Sequence, residues 1–126
     1  MYITHYVVNI QTNATGDGIG YTDTPVNGFI RAIRYVKPTA GGFAAGVDFE
    51  VTAEQSGVVI WDQDDVNASV TVYPRAAICD TAGVASLYAA GGEPVEDLIP
   101  VANERVKITV ANGGDGGVGT FHVYVG

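Results

Sequence analysis

Polar and apolar residues alternate along most of this chain with a period of two. The clearest case is residues 47–52, where valine or phenylalanine occupies every second position and Asp48, Glu50 and Thr52 lie between them. Such alternation is typical of a β-strand that buries one face, and no stretch shows the 3.6-residue period of a helix. The same pattern predicts strands at residues 2–10, 29–37, 58–61, 68–73, 105–110 and 120–125.

Short segments rich in glycine, proline and polar residues separate these strands. We expect a turn at residues 12–18, a turn at Asn27 and Gly28, and an acidic loop at residues 62–67. Pro74 should end the preceding strand or place it at a sheet edge. Residues 80–104 are the least regular part, with short strands expected near residues 87–89 and 98–101.

The C-terminal part gives the strongest local prediction. Residues 105–110 and 120–125 alternate cleanly, and the glycine-rich residues 112–117 lie between them. This arrangement predicts a hairpin whose apolar side chains share one core. The six positions expected to be buried together are Val106, Ile108, Val110, Phe121, Val123 and Val125.

Length and composition favour one domain that covers residues 1–126. A chain of 126 residues with 47 % hydrophobic residues can bury one core without disulfides, and its 17 glycines suit many tight turns. Seven to nine short strands joined by regular turns predict an all-β fold, an antiparallel β-sandwich of jelly-roll-like character.

The charge balance excludes several partners. A net charge of −8 repels phosphate backbones, so we expect no nucleic-acid binding. The six basic residues form no run that would favour an anionic membrane, and no apolar stretch approaches about 18 residues. Residues 1–10 lack the pattern of a secretory signal. The single cysteine, Cys79, excludes an internal disulfide.

Two segments have the composition of binding loops without the required spacing. The glycine-rich residues 113–117 are followed by neither a Lys-Ser/Thr pair nor a helix, so we expect no nucleotide site. Residues 62–67 resemble half of a calcium loop, but the glycine is missing and Tyr73 stands where the ligating glutamate should be. A turn or a solvated acidic loop explains each segment better, and neither predicts a cofactor.

Catalytic groups are equally sparse. His5 and His122 could join a carboxylate to hold zinc, but each stands alone in its strand, and no spacing connects them. Cys79 has no histidine near it in the sequence. None of the three serines, Ser56, Ser69 and Ser86, lies in the Gly-x-Ser-x-Gly motif of a strained nucleophile elbow. We therefore predict no catalytic residue, no metal ligand and no enzymatic activity.

The aromatic residues leave three interpretations open. Seven tyrosines and Trp61 are many for a small domain. They could pack in the core or across strands, anchor a protein interface, or stack on sugar rings as in a carbohydrate-binding module.

Five segments are informative when they are taken together and in order: residues 34–37 (RYVK), 47–54, 73–76 (YPRA), 81–84 (TAGV) and 101–125. In this order they resemble a group of small tailed-bacteriophage proteins that are encoded among the head-assembly genes. The likeness covers most of the chain from about residue 28, and residues 1–11 more loosely. It implies a virion structural protein with no catalytic residue to carry over.

The role that this resemblance implies is capsid decoration, or cement. The expected partners are the major capsid protein, neighbouring copies of the chain and other virion proteins, on the outer surface of the head after assembly in the host cytoplasm. Arg31, Arg34 and Lys37 could meet acidic groups on a shell subunit, or could simply be solvated. The competing hypotheses are a carbohydrate-binding sandwich and a head-completion or tail component.

Overall fold

The computed structural model describes residues 2–126, and the described chain contains strands and no helix. None of its elements could therefore cross a bilayer as a helix. The strands are β1 (Thr4–Gln11), β2 (Gly18–Tyr21), β3 (Val26–Val36), β4 (Val47–Ala53), β5 (Val59–Val66), β6 (Val70–Val72), β7 (Ala76–Ala77), β8 (Glu96–Asp97), β9 (Ile99–Glu104), β10 (Val106–Ala111) and β11 (Val118–Val125).

Two antiparallel sheets form the body of the molecule, which confirms the predicted all-β sandwich-like fold. The first sheet, here sheet A, has the order β1-β11-β3-β6, and β9 also pairs with β3. Sheet B has the order β2-β10-β4-β5. The long strand β3 pairs with β9 through its first half and with β6 through its second half. Both sheets are curled, so together they resemble half of a barrel.

The core lies between the two sheets and confirms the burial predicted for the C-terminal strands. Val106, Ile108 and Val110 of β10 are buried, as are Phe121, Val123 and Val125 of β11. An aromatic cluster completes this core with Tyr35, Phe43, Phe49, Trp61 and Phe121. Burial of so much apolar surface is the main favourable term in folding.

The predicted hairpin, however, is wrong. β10 pairs with β2 and β4 in sheet B, whereas β11 pairs with β1 and β3 in sheet A. Residues 112–117 therefore cross from one sheet to the other. Alternation could not reveal this, because two strands that face the core from opposite sheets show the same pattern as two that pair side by side.

The glycines of that crossing segment serve close backbone packing. The Thr12 hydroxyl donates to Gly114 O (2.6 Å) and accepts from the N–H of Gly117 (2.9 Å). A Cβ at Gly113 would lie 2.8 Å from the Thr12 methyl group. Gly114 also has a φ of 76°, which favours glycine. This segment thus closes one end of the sandwich.

Three further expectations need correction. Asn27 and Gly28 lie inside β3 next to a β-bulge, not in a turn, and the Asn27 side chain accepts a hydrogen bond from the Asn103 N–H. Most of the expected acidic loop at residues 62–67 belongs to β5, which bulges where Asp65 takes a φ of 58°. Residues 18–21 form a strand that the pattern did not predict, because glycine occupies half of it.

The irregular residues after Pro74 form an arm, which we define as residues 75–97. β7 and β8 pair with each other in a separate two-stranded sheet, and both have exposed residues only. The strand expected near residues 87–89 is only an isolated bridge between Leu87 and Pro94. The strand expected at residues 98–101 is present as part of β9.

Candidate functional site

In sheet A, the outer surface formed by β1, β11, β3 and β6 is free of acidic side chains, and we call it the acid-free face. The fifth strand, β9, ends in Glu104, whose carboxylate accepts from the N–H groups of Gln55 and Ser56. Strands β1, β3, β6 and β11 contain no aspartate or glutamate, although the chain has 14 such residues. The strand registers place two rows of side chains on this face: Val7, His122, Arg34 and Thr71 in one, and His5, Tyr124 and Ala32 in the next. A large surface without carboxylates is unusual on a protein of net charge −8.

Sheet B has the opposite character, and we call the outer surface of its strands β4 and β5 the acidic face. Its strands β4 and β5 contain five carboxylates, which are Asp48, Glu50, Asp62, Asp64 and Asp65. Hydrogen bonds from the Asp65 N–H and the Asn112 amide lower the pKa of Asp48, so this carboxylate stays ionised. The molecule therefore has one strongly acidic side, on β4 and β5, and one side, on β1, β3, β6 and β11, whose strands contain no carboxylate.

Two histidines meet at the centre of the acid-free face, although nothing in their sequence spacing connects them. His5 Nε2 lies 2.7 Å from His122 Nδ1. The ring centroids are 4.9 Å apart. This separation exceeds the distance between the two nitrogens by about one ring diameter, which means that the nitrogens point at each other. This geometry holds one proton in an N–H···N hydrogen bond and does not converge on a third atom, as a chelated metal would require.

The surroundings of His122 disfavour its protonated form. Partial burial lowers the pKa of His122, and the nearby His5 ring and Arg34 guanidinium lower it further. The His5 ring also stacks on Tyr124, with centroids 4.7 Å apart. The two imidazoles thus form a flat centre in which the lowered pKa keeps His122 uncharged at neutral pH, and Arg34 supplies positive charge beside it.

We expect His122 to make folding stability depend on pH. The unfolded chain takes up a proton at His122 near pH 6.5, whereas the folded chain does so only at lower pH. Stability should therefore fall as the pH drops below about 6.5. Thermal melts of the wild type and of His122→Gln between pH 7.5 and 5.5 test this, because the variant should lose less stability over that range. Equal losses would contradict the assignment.

Only one of the three basic residues singled out in the sequence lies within the acid-free face. Arg34 is exposed there, opposite Thr71. The Nε of Arg31 donates to Gly126 O at 2.8 Å, so this side chain helps to fix the C-terminus. Lys37 lies beyond the end of β3, and its Nζ donates to Asn67 O (3.2 Å). The three basic residues at and after β3 therefore lie in three different environments, which explains why their spacing alternates imperfectly.

The segments considered for metal or nucleotide binding have structural partners instead. Within residues 2–126, no three histidine, cysteine or carboxylate side chains are placed to hold a metal ion. The Asp65 N–H donates to the Asp48 carboxylate, the Asn67 side chain accepts from the Gly46 N–H, and residues 113–117 pack on Thr12 and Gly16. These contacts of Asp65, Asn67 and residues 113–117 serve the fold.

The nucleophile candidates are spread over the molecule. Cys79 is exposed on the arm, and Ser86 contributes backbone hydrogen bonds there. The Ser69 hydroxyl accepts from the Lys37 N–H (2.8 Å), and the Ser56 hydroxyl lies 3.5 Å from the Val58 N–H. In the described part of the chain, the hydrogen bonds of these groups include none to a histidine.

The tyrosines and Trp61 fall into three sets: core residues, exposed residues, and two tyrosines with a surface partner, Tyr21 against Arg105 and Tyr124 against His5. Tyr35 and Trp61 belong to the core, and Tyr6 packs against it. Tyr2, Tyr73 and Tyr88 are exposed by 91 %, 65 % and 75 %, and no ring contact joins any two of them within residues 2–126. Core packing thus accounts for part of the tyrosines, and the exposed ones remain candidates for binding.

These features define a β-sandwich protein whose distinctive surfaces are an acid-free face, an acidic face and a projecting arm. No known protein family matches the chain, and no curated protein matches its sequence. A solved structure, the crystal structure of FLHE, is similar with a TM-score of 0.50 and 11 % identity over 99 % of this chain and 98 % of that one. At this identity the likeness concerns the fold alone.

Proposed function

We propose that this chain is a virion structural protein of a tailed bacteriophage, a capsid decoration or cement protein that docks on the major capsid protein. The observation that carries the proposal is the segregation of charge: sheet A presents the acid-free face, and sheet B collects five carboxylates on β4 and β5. The resemblance to small phage head proteins supports the same assignment.

The acid-free face has the composition of a docking surface. Val7, exposed by 44 %, lies across from His122, and Val118, exposed by 39 %, lies on the same face nearer the start of β11. Protein interfaces place aromatic, apolar and arginine side chains at their centre and exclude acidic ones. The acidic face then points away from the shell, where its charge keeps the particle soluble.

Such binding stabilises a shell by mass action. A ligand that binds the assembled lattice and not the free subunits shifts the equilibrium towards assembly, and a protein present in many copies does so at many positions. Particles without the protein should keep their geometry and open at a lower temperature.

Quantitative mass spectrometry of purified particles tests the proposal. We expect hundreds of copies per particle, measured against the major capsid protein. Absence from the particle would refute the proposal. A count of about a dozen or fewer would replace lattice decoration with a head-completion or tail role, because such components occupy single vertices or the tail.

A further inference from the structure

Strands β6 and β9 follow one another along the same flank of β3. Val72 of β6 lies opposite Ile33, and Ile99 of β9 lies opposite Ile30. Both strands are antiparallel to β3, so β9 continues in the direction of β6 from close to the point where β6 ends. Together they occupy a single position at the edge of sheet A, the place of one strand.

The opposite flank of β3 shows how short the gap between β6 and β9 is. There β11 passes without interruption, with Val123 opposite Ile33, Val125 opposite Ile30 and one residue between them. Strand residues advance by about 3.4 Å, so this stretch of β3 is only about 7 Å long. One or two residues would therefore be enough to join β6 to β9, yet residues 73–98 stand between them.

Most of this connection is the arm, residues 75–97, and the arm has its own hydrogen-bond network. Ile78 N–H donates to Val95 O, Val95 N–H to Ser86 O, and Ser86 N–H to Ile78 O, each at 2.8 Å, which ties three separate segments together. Within residues 2–126, the hydrogen bonds of the arm join its residues to one another or to the two residues that flank it. The arm therefore holds its shape by bonds that the sandwich does not share.

The arm also lies outside the buried core. Its residues are exposed except Ala85 and Val95, which are half-buried, and the core cluster of the described chain includes none of them. By contrast, Pro74, directly before the arm, is buried, and Leu98, directly after it, is half-buried. Because burial of apolar surface is the main favourable term in folding, the arm should contribute little to the stability of the sandwich.

From the register and the separate network we infer that the arm is an insertion within one edge strand of an otherwise complete sandwich, and that it opens locally while the sandwich stays folded. Sheet A then has four strand positions, matching the four strands of sheet B. Exposed segments held outside a core are the ones that tolerate changes of length and sequence. The inference goes beyond the proposed function, because the acid-free face and the acidic face lie on strands that the arm does not contain.

Native-state hydrogen exchange of the wild-type chain, followed residue by residue by NMR, tests the inference. The N–H groups of Ile78, Ser86 and Val95 should exchange through local opening, at least about a hundredfold faster than the N–H groups of β10 and β11. Local opening exposes little surface, so low concentrations of urea should accelerate exchange in β10 and β11 and leave the rate of the arm unchanged.

Gly113 provides the matched control for this measurement. Its N–H also lies outside the strands, but it is buried and donates to Gly16 O at 2.9 Å, so it should exchange with the sandwich. If Ile78, Ser86 and Val95 exchanged at the rate of β10 and β11, with the same dependence on urea, the arm would belong to the cooperative unit of the sandwich. That result would overturn the inference.

A shortened arm gives a second, independent test. Ala77 of β7 pairs directly with Glu96 of β8, so replacing residues 78–95 with Asn-Gly joins the two strands by a two-residue hairpin turn. Pro74 and Leu98 keep their places at the base. We expect one cooperative thermal transition with a midpoint within about 10 °C of the wild type. A larger fall of the midpoint, or loss of the cooperative transition, would overturn the inference, because the sandwich would then need the arm.

Discussion

Replacing Phe121 with alanine should lower the free energy of unfolding by about 3–5 kcal/mol. Phe121 is fully buried, and its ring lies 4.9 Å from that of Phe49 and 5.2 Å from that of Tyr35, centroid to centroid. It therefore joins sheet A to sheet B, and alanine would leave a cavity between them. Urea denaturation at constant pH measures the change.

Phe29 provides the matched control for this substitution. It lies in β3 of the same sheet, but 42 % of it is exposed. Phe29→Ala should therefore cost less than about 1 kcal/mol, as most changes at exposed positions do. If Phe121→Ala also cost less than about 1 kcal/mol, the strand register that buries Phe121 would be wrong, because a slip of one residue exposes the whole set.

The sequence predicted the class of fold and the buried positions because both follow from alternation. A strand that buries one face must repeat with period two, whichever strand it pairs with, and Val106 and Phe121 therefore stood out. Pairing itself leaves no such mark. The register of β1 with β11 joins residues at opposite ends of the chain, and the crossing at residues 112–117 looked like a hairpin.

The candidate surfaces were only partly predictable for the same reason. The lack of acidic residues in β1, β3, β6 and β11 is visible in the sequence, but it becomes a face only when these strands are known to share one sheet. His5 and His122 stand alone in the sequence and meet only through that pairing. The arm was predicted as irregular, since its hydrogen bonds connect single residues and not long strands.

Under the proposed docking of the acid-free face on a capsid shell, substitutions at Thr71 should change binding according to the charge that they introduce. Thr71 is exposed on the acid-free face, directly across from Arg34 on β3. A glutamate there would pair with Arg34, cancel the positive charge of the face and add a carboxylate where the surface has none. We expect Thr71→Glu to weaken binding to particles that lack the protein by at least about tenfold, equivalent to about 1.4 kcal/mol.

Two further variants at the same position separate charge from shape. Thr71→Gln has nearly the size of the glutamate without its charge, so its binding should stay close to that of the wild type. Thr71→Lys should bind as well as the wild type or better, because it extends the positive charge of the face. Co-sedimentation with particles at two salt concentrations measures all three, and the difference between Glu and Gln should shrink at high salt. If Gln weakened binding as much as Glu, the effect would be steric. If none of the three changed binding, the shell would be recognised by a surface other than the acid-free face.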